Sequence, residues 1–152
     1  MANPALHAML LQNPHRSDPV TMTQATAQHE GAAEVSAAYE CYLSAFLAGD
    51  LATVEVLVQF PLAYIGAGET RLLDRFPVSP QALRERKQWH TTVNADYEVS
   101  LVAPDKAHVI LRSAERVRAD GSLIETVAAF YAFTRTPQGW KLFALSDIVI
   151  PA

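Results

Sequence analysis

The longest regular pattern in the chain runs from His108 to Val149, where apolar and polar residues alternate through three strand-like segments parted by two turn signals. HVILRSAERVR leads into Ala119-Asp120-Gly121-Ser122, and Asp-Gly is a strong hairpin signal because both residues tolerate positive φ. LIETVAAFYAFTR leads into Thr136-Pro137-Gln138-Gly139, where proline presets φ and glycine accepts the left-handed region. A two-residue first loop sets Arg116 opposite Glu125, Arg112 opposite Ala129 and Ile110 opposite Tyr131. The second turn sets Tyr131 opposite Ala144 and Phe133 opposite Leu142, with a one-residue slip if Gly139 bulges. Strict alternation then puts Arg112, Arg116, Glu125, Tyr131, Phe133, Trp140, Ala144 and Ser146 on one face, and Val109, Leu111, Phe130, Ala132, Phe143 and Leu145 on the other. Both faces are apolar along their middles, so each is expected to be covered.

Upstream the period changes to that of a helix. Val35, Tyr39, Tyr42 and Phe46 make one stripe, widened by Leu43 and Leu47, and predict a helix from Ala32 to Ala48. Gly49 suits the left-handed residue that ends it and Asp50 the N-cap of a second, Leu51 to Val58, which Phe60-Pro61 stops. Leu62 to Ile65 reads as a short strand, and Glu69 to Phe76 fits no pattern. Ser79-Pro80 then opens a third helix reaching Gln88 or His90. Tyr97 to Val102 completes the strands. Helices followed by a run of antiparallel strands make an α+β fold: three N-terminal helices packed on the concave face of a cone-shaped, curved antiparallel sheet of about four main strands. The mouth or floor of such a cone is where an apolar ligand would sit.

Composition narrows the class. At 152 residues, 50% hydrophobic and 18% charged, the chain is one domain with a sizeable core. Residues 1–31, with three prolines and a polar run from Thr21 to Glu30, read as an extension outside that core carrying one short helix near Pro4 to Leu11; the domain proper is 32–152. His7, His15 and His29 show no metal-site spacing. A net charge of −4 without a Lys/Arg cluster argues against nucleic acid. No apolar run approaches the ~20 residues that span a bilayer, so no membrane association is expected. One cysteine, Cys41, excludes a disulfide framework and fits a reducing compartment, and the expected location is cytoplasmic.

Tyr42-Leu43-Ser44-Ala45-Phe46-Leu47-Ala48-Gly49-Asp50, with Phe130 to Thr134 and Gly139-Trp140-Lys141-Leu142, resembles the nuclear transport factor 2-like superfamily over about Ala32 to Ile148. That superfamily includes ketosteroid isomerases and SnoaL-type polyketide cyclases, and also plain binding modules, so the resemblance implies a fold and not an activity. Isomerase chemistry of the ketosteroid type needs an Asp base and two hydrogen-bond donors to an enolate. The resemblance puts Tyr42 at the position of one donor and Tyr131 at that of the other, where a tyrosine replaces an aspartic acid. The base would stand near Ile65, Gly66 and Ala67, and no carboxylate is there.

The candidate catalytic residues are therefore Tyr42 and Tyr131, as donors to a carbonyl oxygen, and His90, as a proton carrier near neutral pH. Each has a structural alternative: buried aromatics, or a surface histidine. Arg112, facing only Ala129, is the candidate anchor for an acidic ligand group, whereas Arg116 and Glu125 read as a cross-strand ion pair. Tyr39, Phe133, Trp140 and Ser146 complete the candidate ligand-binding wall. No metal site, phosphate loop or dinucleotide fingerprint is present, and no cofactor is expected. These features imply a small-molecule pocket protein, either a cofactor-independent lyase, isomerase or cyclase acting on an apolar carbonyl compound, or a non-catalytic ligand-binding or dimeric interaction module. The second apolar face predicts a homodimer through the outer side of the sheet.

Overall fold

In the computed structural model the described residues are 19–152, with side chains described from Glu30 onward, apart from Leu101 and Val102. Helix α1 (Pro19–Ala48) is followed by α2 (Leu51–Val56), strands β1 (Val58–Ile65) and β2 (Thr70–Leu73), helix α3 (Pro80–Lys87), and strands β3 (Thr91–Ala103), β4 (Lys106–Val117), β5 (Leu123–Thr136) and β6 (Gly139–Pro151). The short helix expected near Pro4, with His7 and His15, lies outside the described residues, as does the side chain of His29. The first helix starts at Pro19 rather than Ala32.

The stripe of α1 is buried as its spacing demands: Val35 and Tyr39 are fully inaccessible, and Tyr42 and Phe46 nearly so. Gly49 ends the helix at φ +74, and Asp50 caps α2 by accepting from the Thr53 amide at 3.1 Å. Ser79 caps α3, accepting from the Ala82 amide at 3.2 Å ahead of the N1 proline, and Gln88 closes it in the left-handed region.

The sheet has six strands, not about four, in the order β2-β1-β6-β5-β4-β3. Phe60-Pro61, expected to stop the second helix, lies inside β1, which pairs antiparallel with β2 and parallel with β6; the remaining pairings are antiparallel. Glu69 to Phe76, unassigned from its pattern, supplies β2. The helical N-terminal part packs on one face of this curved sheet, with α1 against β3, β4 and β6.

Two bulges decide what that face presents. The first hairpin pairs Arg116 with Glu125 and Ala114 with Val127 as its turn predicts, but the next pair is Leu111 with Ala129. Arg112 and Ser113 together oppose Ala128, so β4 carries one extra residue and its parity reverses. On β6, Phe133 pairs with Leu142 but Ala132 pairs with Ala144, which leaves Phe143 as the extra residue. Beyond each bulge the expected faces are exchanged. Val109, Leu111 and Leu145, assigned to the outer face by alternation, are buried against the helices at 5% exposure or less.

Candidate functional site

A cavity of about 80 Å³ lies between α1 and the inner face of the sheet. Helix α1 contributes Tyr42, Leu43, Phe46 and Leu47, and Val78 closes one side from the segment before α3. The floor is Leu111, Ala114 and Arg116 of β4, Val127 and Tyr131 of β5, and Leu145 and Asp147 of β6. The walls are apolar, and the polar atoms converge from few residues.

Three tyrosines meet on one side. The Tyr131 ring lies 5.1 Å from Tyr39 and 5.7 Å from Tyr42, centroid to centroid. Burial pushes the phenol of each up from its ordinary value. For Tyr39 and Tyr42 the neighbouring Tyr131 adds to this; for Tyr131 the hydroxyls of Tyr39 and Tyr42 partly offset it. All three stay protonated in neutral water and act as donors. The Tyr39 hydroxyl is buried with no formed hydrogen bond, although the Tyr131 hydroxyl is near enough to interact with it.

Asp147 of β6, paired with Ala129, brings a carboxylate to the cavity. Its Oδ1 accepts from the Tyr64 hydroxyl on β1 at 2.8 Å, and its Oδ2 has no hydrogen-bond donor among the described residues. Tyr64 is in turn covered by the Arg71 guanidinium, 5.5 Å from its ring centroid. Arg116 completes the polar set. Its Nη1 donates to Glu125 Oε1 at 2.7 Å, and Glu125 Oε2 accepts from Lys87 Nζ at 2.5 Å. Burial pushes the Glu125 carboxyl up, but the hydrogen bonds and charges of Lys87 and Arg116 outweigh it and hold the group below its ordinary value.

Of the candidate residues, Tyr42 and Tyr131 line the cavity; the others do not. Arg112 is on the outer face, paired with Glu98 and with Asp96 at 3.5 Å, because the β4 bulge turns it outward. An anchoring role for it in the cavity has no basis. His90 is exposed: the left-handed Gln88 swings the chain so that Trp89, not His90, enters the core. Ser146 falls on the outer face because of the bulge at Phe143, opposite Phe130. Tyr39 and Phe133 are buried in the core behind the cavity, at 0% and 1% exposure. Trp140 is at the far end of β6, its Nε1 donating to Glu34 at 3.1 Å under the Arg135 guanidinium. Strict alternation, which put Ser146 on the inner face, would turn its neighbour Asp147 outward, and Arg116 was read only as half of an ion pair. The signal that could have moved Asp147 inside is the spacing of Leu142 and Leu145, three apart in a strand where apolar residues should be two apart.

Residues 33–147 match the family described as NTF2-like protein (DUF6841). The chain belongs to this NTF2-like family. No curated protein matches it by sequence. Among solved structures, a provisionally named dehydratase of the NTF2-like family from Streptomyces avermitilis is similar at 20% identity and a TM-score of 0.57, over 79% of this chain and 96% of that one. An NTF2-like protein with a cystatin-like fold from Novosphingobium aromaticivorans matches at 17% identity and 0.56, over 86% and 89%. A hexachlorocyclohexane dehydrochlorinase of LinA type 3 from Novosphingobium barchaimii matches at 14% identity and 0.58, over 82% and 90%. At these identities the likeness is one of fold. Among the described residues no helix is long and apolar enough to cross a membrane, and no three His, Cys, Asp or Glu side chains gather in a way that could hold a metal ion.

Proposed function

We propose that this NTF2-like protein is a cofactor-independent isomerase or lyase that removes a proton beside the carbonyl of a small compound. The observation that carries this reading is a carboxylate, Asp147, in the same apolar cavity as two neutral phenol donors, Tyr42 and Tyr131. The base missing from the β1 position is supplied from the neighbouring strand, where Asp147 is steadied by Tyr64. In the proposed step Asp147 takes a proton from the carbon next to the carbonyl. The C–H electron pair becomes the enolate double bond, and the Tyr42 and Tyr131 hydroxyls donate to the oxygen as its charge develops. The proton then returns to a different carbon, or a β-substituent departs with the electron pair. Dehydratase and dehydrochlorinase names among structures of this fold agree with the lyase branch, without assigning it.

The test is proton exchange in D₂O, followed by NMR at the α-carbon of a panel of small ketones and oxo acids. Wild type is expected to exchange one or more of them faster than buffer does. Asp147→Asn should slow exchange by roughly 10²–10⁴-fold, and Tyr42→Phe and Tyr131→Phe each by roughly 10²-fold. Wild type no faster than buffer, or Asp147→Asn as fast as wild type, refutes the reading; saturable binding without exchange would leave a ligand-binding module.

A further inference from the structure

We infer that the cavity takes its compound by a carboxylate group held on Arg116, so that the substrate class is a short oxo acid rather than a neutral ketone. This rests on the proposed function for the reaction, but the Arg116 argument stands on its own geometry.

Arg116 is 9% exposed and lines the cavity. A guanidinium carries five N–H donors in a planar fork. The described residues provide one acceptor for them, Glu125 Oε1 at 2.7 Å from Nη1; Nε and Nη2 have none. Neither is sealed off, since Tyr39 Oη is the one fully buried side-chain polar atom without a partner among the described residues, so both N–H groups are open to an acceptor that enters the cavity. Glu125 does not grip the fork with both oxygens, since Oε1 meets Nη1 and Oε2 accepts from Lys87 instead. Arg116 and Lys87 against Glu125 leave one positive charge in excess at this end of the cavity. A carboxylate presents two coplanar acceptors and fits the free side of the fork.

The rest of the cavity orders the ligand. The phenols of Tyr42 and Tyr131 both feel the Arg116 charge, and Tyr131 also feels Asp147. Along the sheet Arg116 is level with Glu125 of β5 and Asp147 with Ala129, two residues short of Tyr131. An acidic ligand has one favourable orientation: its carboxylate at Arg116, away from Asp147, its carbonyl oxygen at the tyrosines, and its C–H toward Asp147. The reacting carbon is then fixed by charge at both ends, which an apolar wall alone would not do. The small size of the cavity favours a short chain.

The experiment is a ligand-observed NMR titration with three probes: 3-oxobutanoate, its neutral isostere pentane-2,4-dione, and butanoate. Wild type should bind 3-oxobutanoate roughly 10- to 100-fold more tightly than the dione, the range expected of one charge-assisted contact, and butanoate should also saturate. Arg116→Met alone leaves the buried Glu125 with only the half-exposed Lys87 as partner, so the decisive variant is Arg116→Met with Glu125→Gln. It leaves no unpaired buried charge, because the Lys87 side chain, 40% exposed, can turn to solvent. Once circular dichroism shows it folded, it should lose the preference for the carboxylate and keep its affinity for the dione; Arg112→Met should change neither. Equal binding of dione and 3-oxobutanoate by wild type, no carboxylate saturation in the millimolar range, or a preference that survives in the double variant overturns the assignment. Asp147→Asn separates the two readings. Carboxylate binding with exchange undiminished overturns the base and leaves Arg116, whereas loss of exchange without any carboxylate preference overturns Arg116 and leaves the base.

Discussion

Glu125→Gln is the most telling single perturbation of the fold. The change is nearly isosteric, so it opens no void, but it removes the charge that two cations share. Glu125 is 3% exposed and Arg116 9%, so the variant leaves a buried guanidinium without its carboxylate. Breaking a buried pair on one side costs about 3–5 kcal/mol. The cavity beside Arg116 admits water and Lys87 can reach solvent, which places the cost at the lower end, about 3 kcal/mol. For a chain of this length that is a fall of roughly 6–12 °C in the thermal midpoint. Lys87→Met, which leaves the inner pair intact, should cost no more than about 1 kcal/mol. The pH dependence supplies a second check. Because the folded Glu125 carboxyl sits below its ordinary value of 4.5, its contribution is fully present above that value and is lost as pH falls through the lower folded one. The gap between wild type and Glu125→Gln, measured by urea unfolding from neutral to acid pH, should therefore close in acid. A gap under about 1 kcal/mol at neutral pH, or one that does not narrow on acidification, would refute the reasoning.

Phe133→Ala, at a position 1% exposed in the core behind the cavity, should cost about 3–5 kcal/mol in urea unfolding. Arg112→Met, by contrast, removes only exposed ion pairs and should stay within about 1 kcal/mol of wild type. The expected homodimer now rests on a different set of side chains: Ile110 and Ile148, 37% and 63% exposed, border Phe130 and Ala128 on the outer face. Ile110→Arg with Ile148→Glu should give a monomer where wild type sediments as a dimer; a wild type already monomeric at the same concentration sinks that expectation.

Local signals were legible where one residue type has one reason to be present. The α1 stripe, the Gly49-Asp50 junction and the Ser79-Pro80 start each occupy the place their chemistry demands, and Asp120-Gly121 set Arg116 opposite Glu125. What was not legible depends on long-range packing. β1 and β2 have weak alternation because their partners, β6 and each other, lie far off or at an edge, and two of the six strands were under-read. Trp89 gave no periodic signal, since it enters the core from a single left-handed turn. The site suffered most. Tyr42 lies on a helix whose period survives, and Tyr131 on the unbulged strand β5, so both were placed inside. Arg112 lies in one bulge and Ser146 beyond the other, so both were misplaced, and the same extra residue on β6 is what turns Asp147 inward.

The bulge at Phe143 makes the inner face of β6 a choice between two registers of one strand. Without the extra residue in the loop-out, regular pairing from Leu142 onward would turn Ala144, Ser146 and Ile148 inward and expel Leu145 with Asp147. The register adopted is the one that buries Leu145, at 3% exposure, instead of an alanine. The carboxylate therefore owes its position to the greasiness of a residue two places before it. Exchanging the identities of Ala144 and Leu145 would reward the other register, and Asp147 would leave the cavity although neither it nor Tyr64 had been altered. In such a strand the chemistry of the site is inherited through packing, and a residue that touches no substrate holds a veto over one that does.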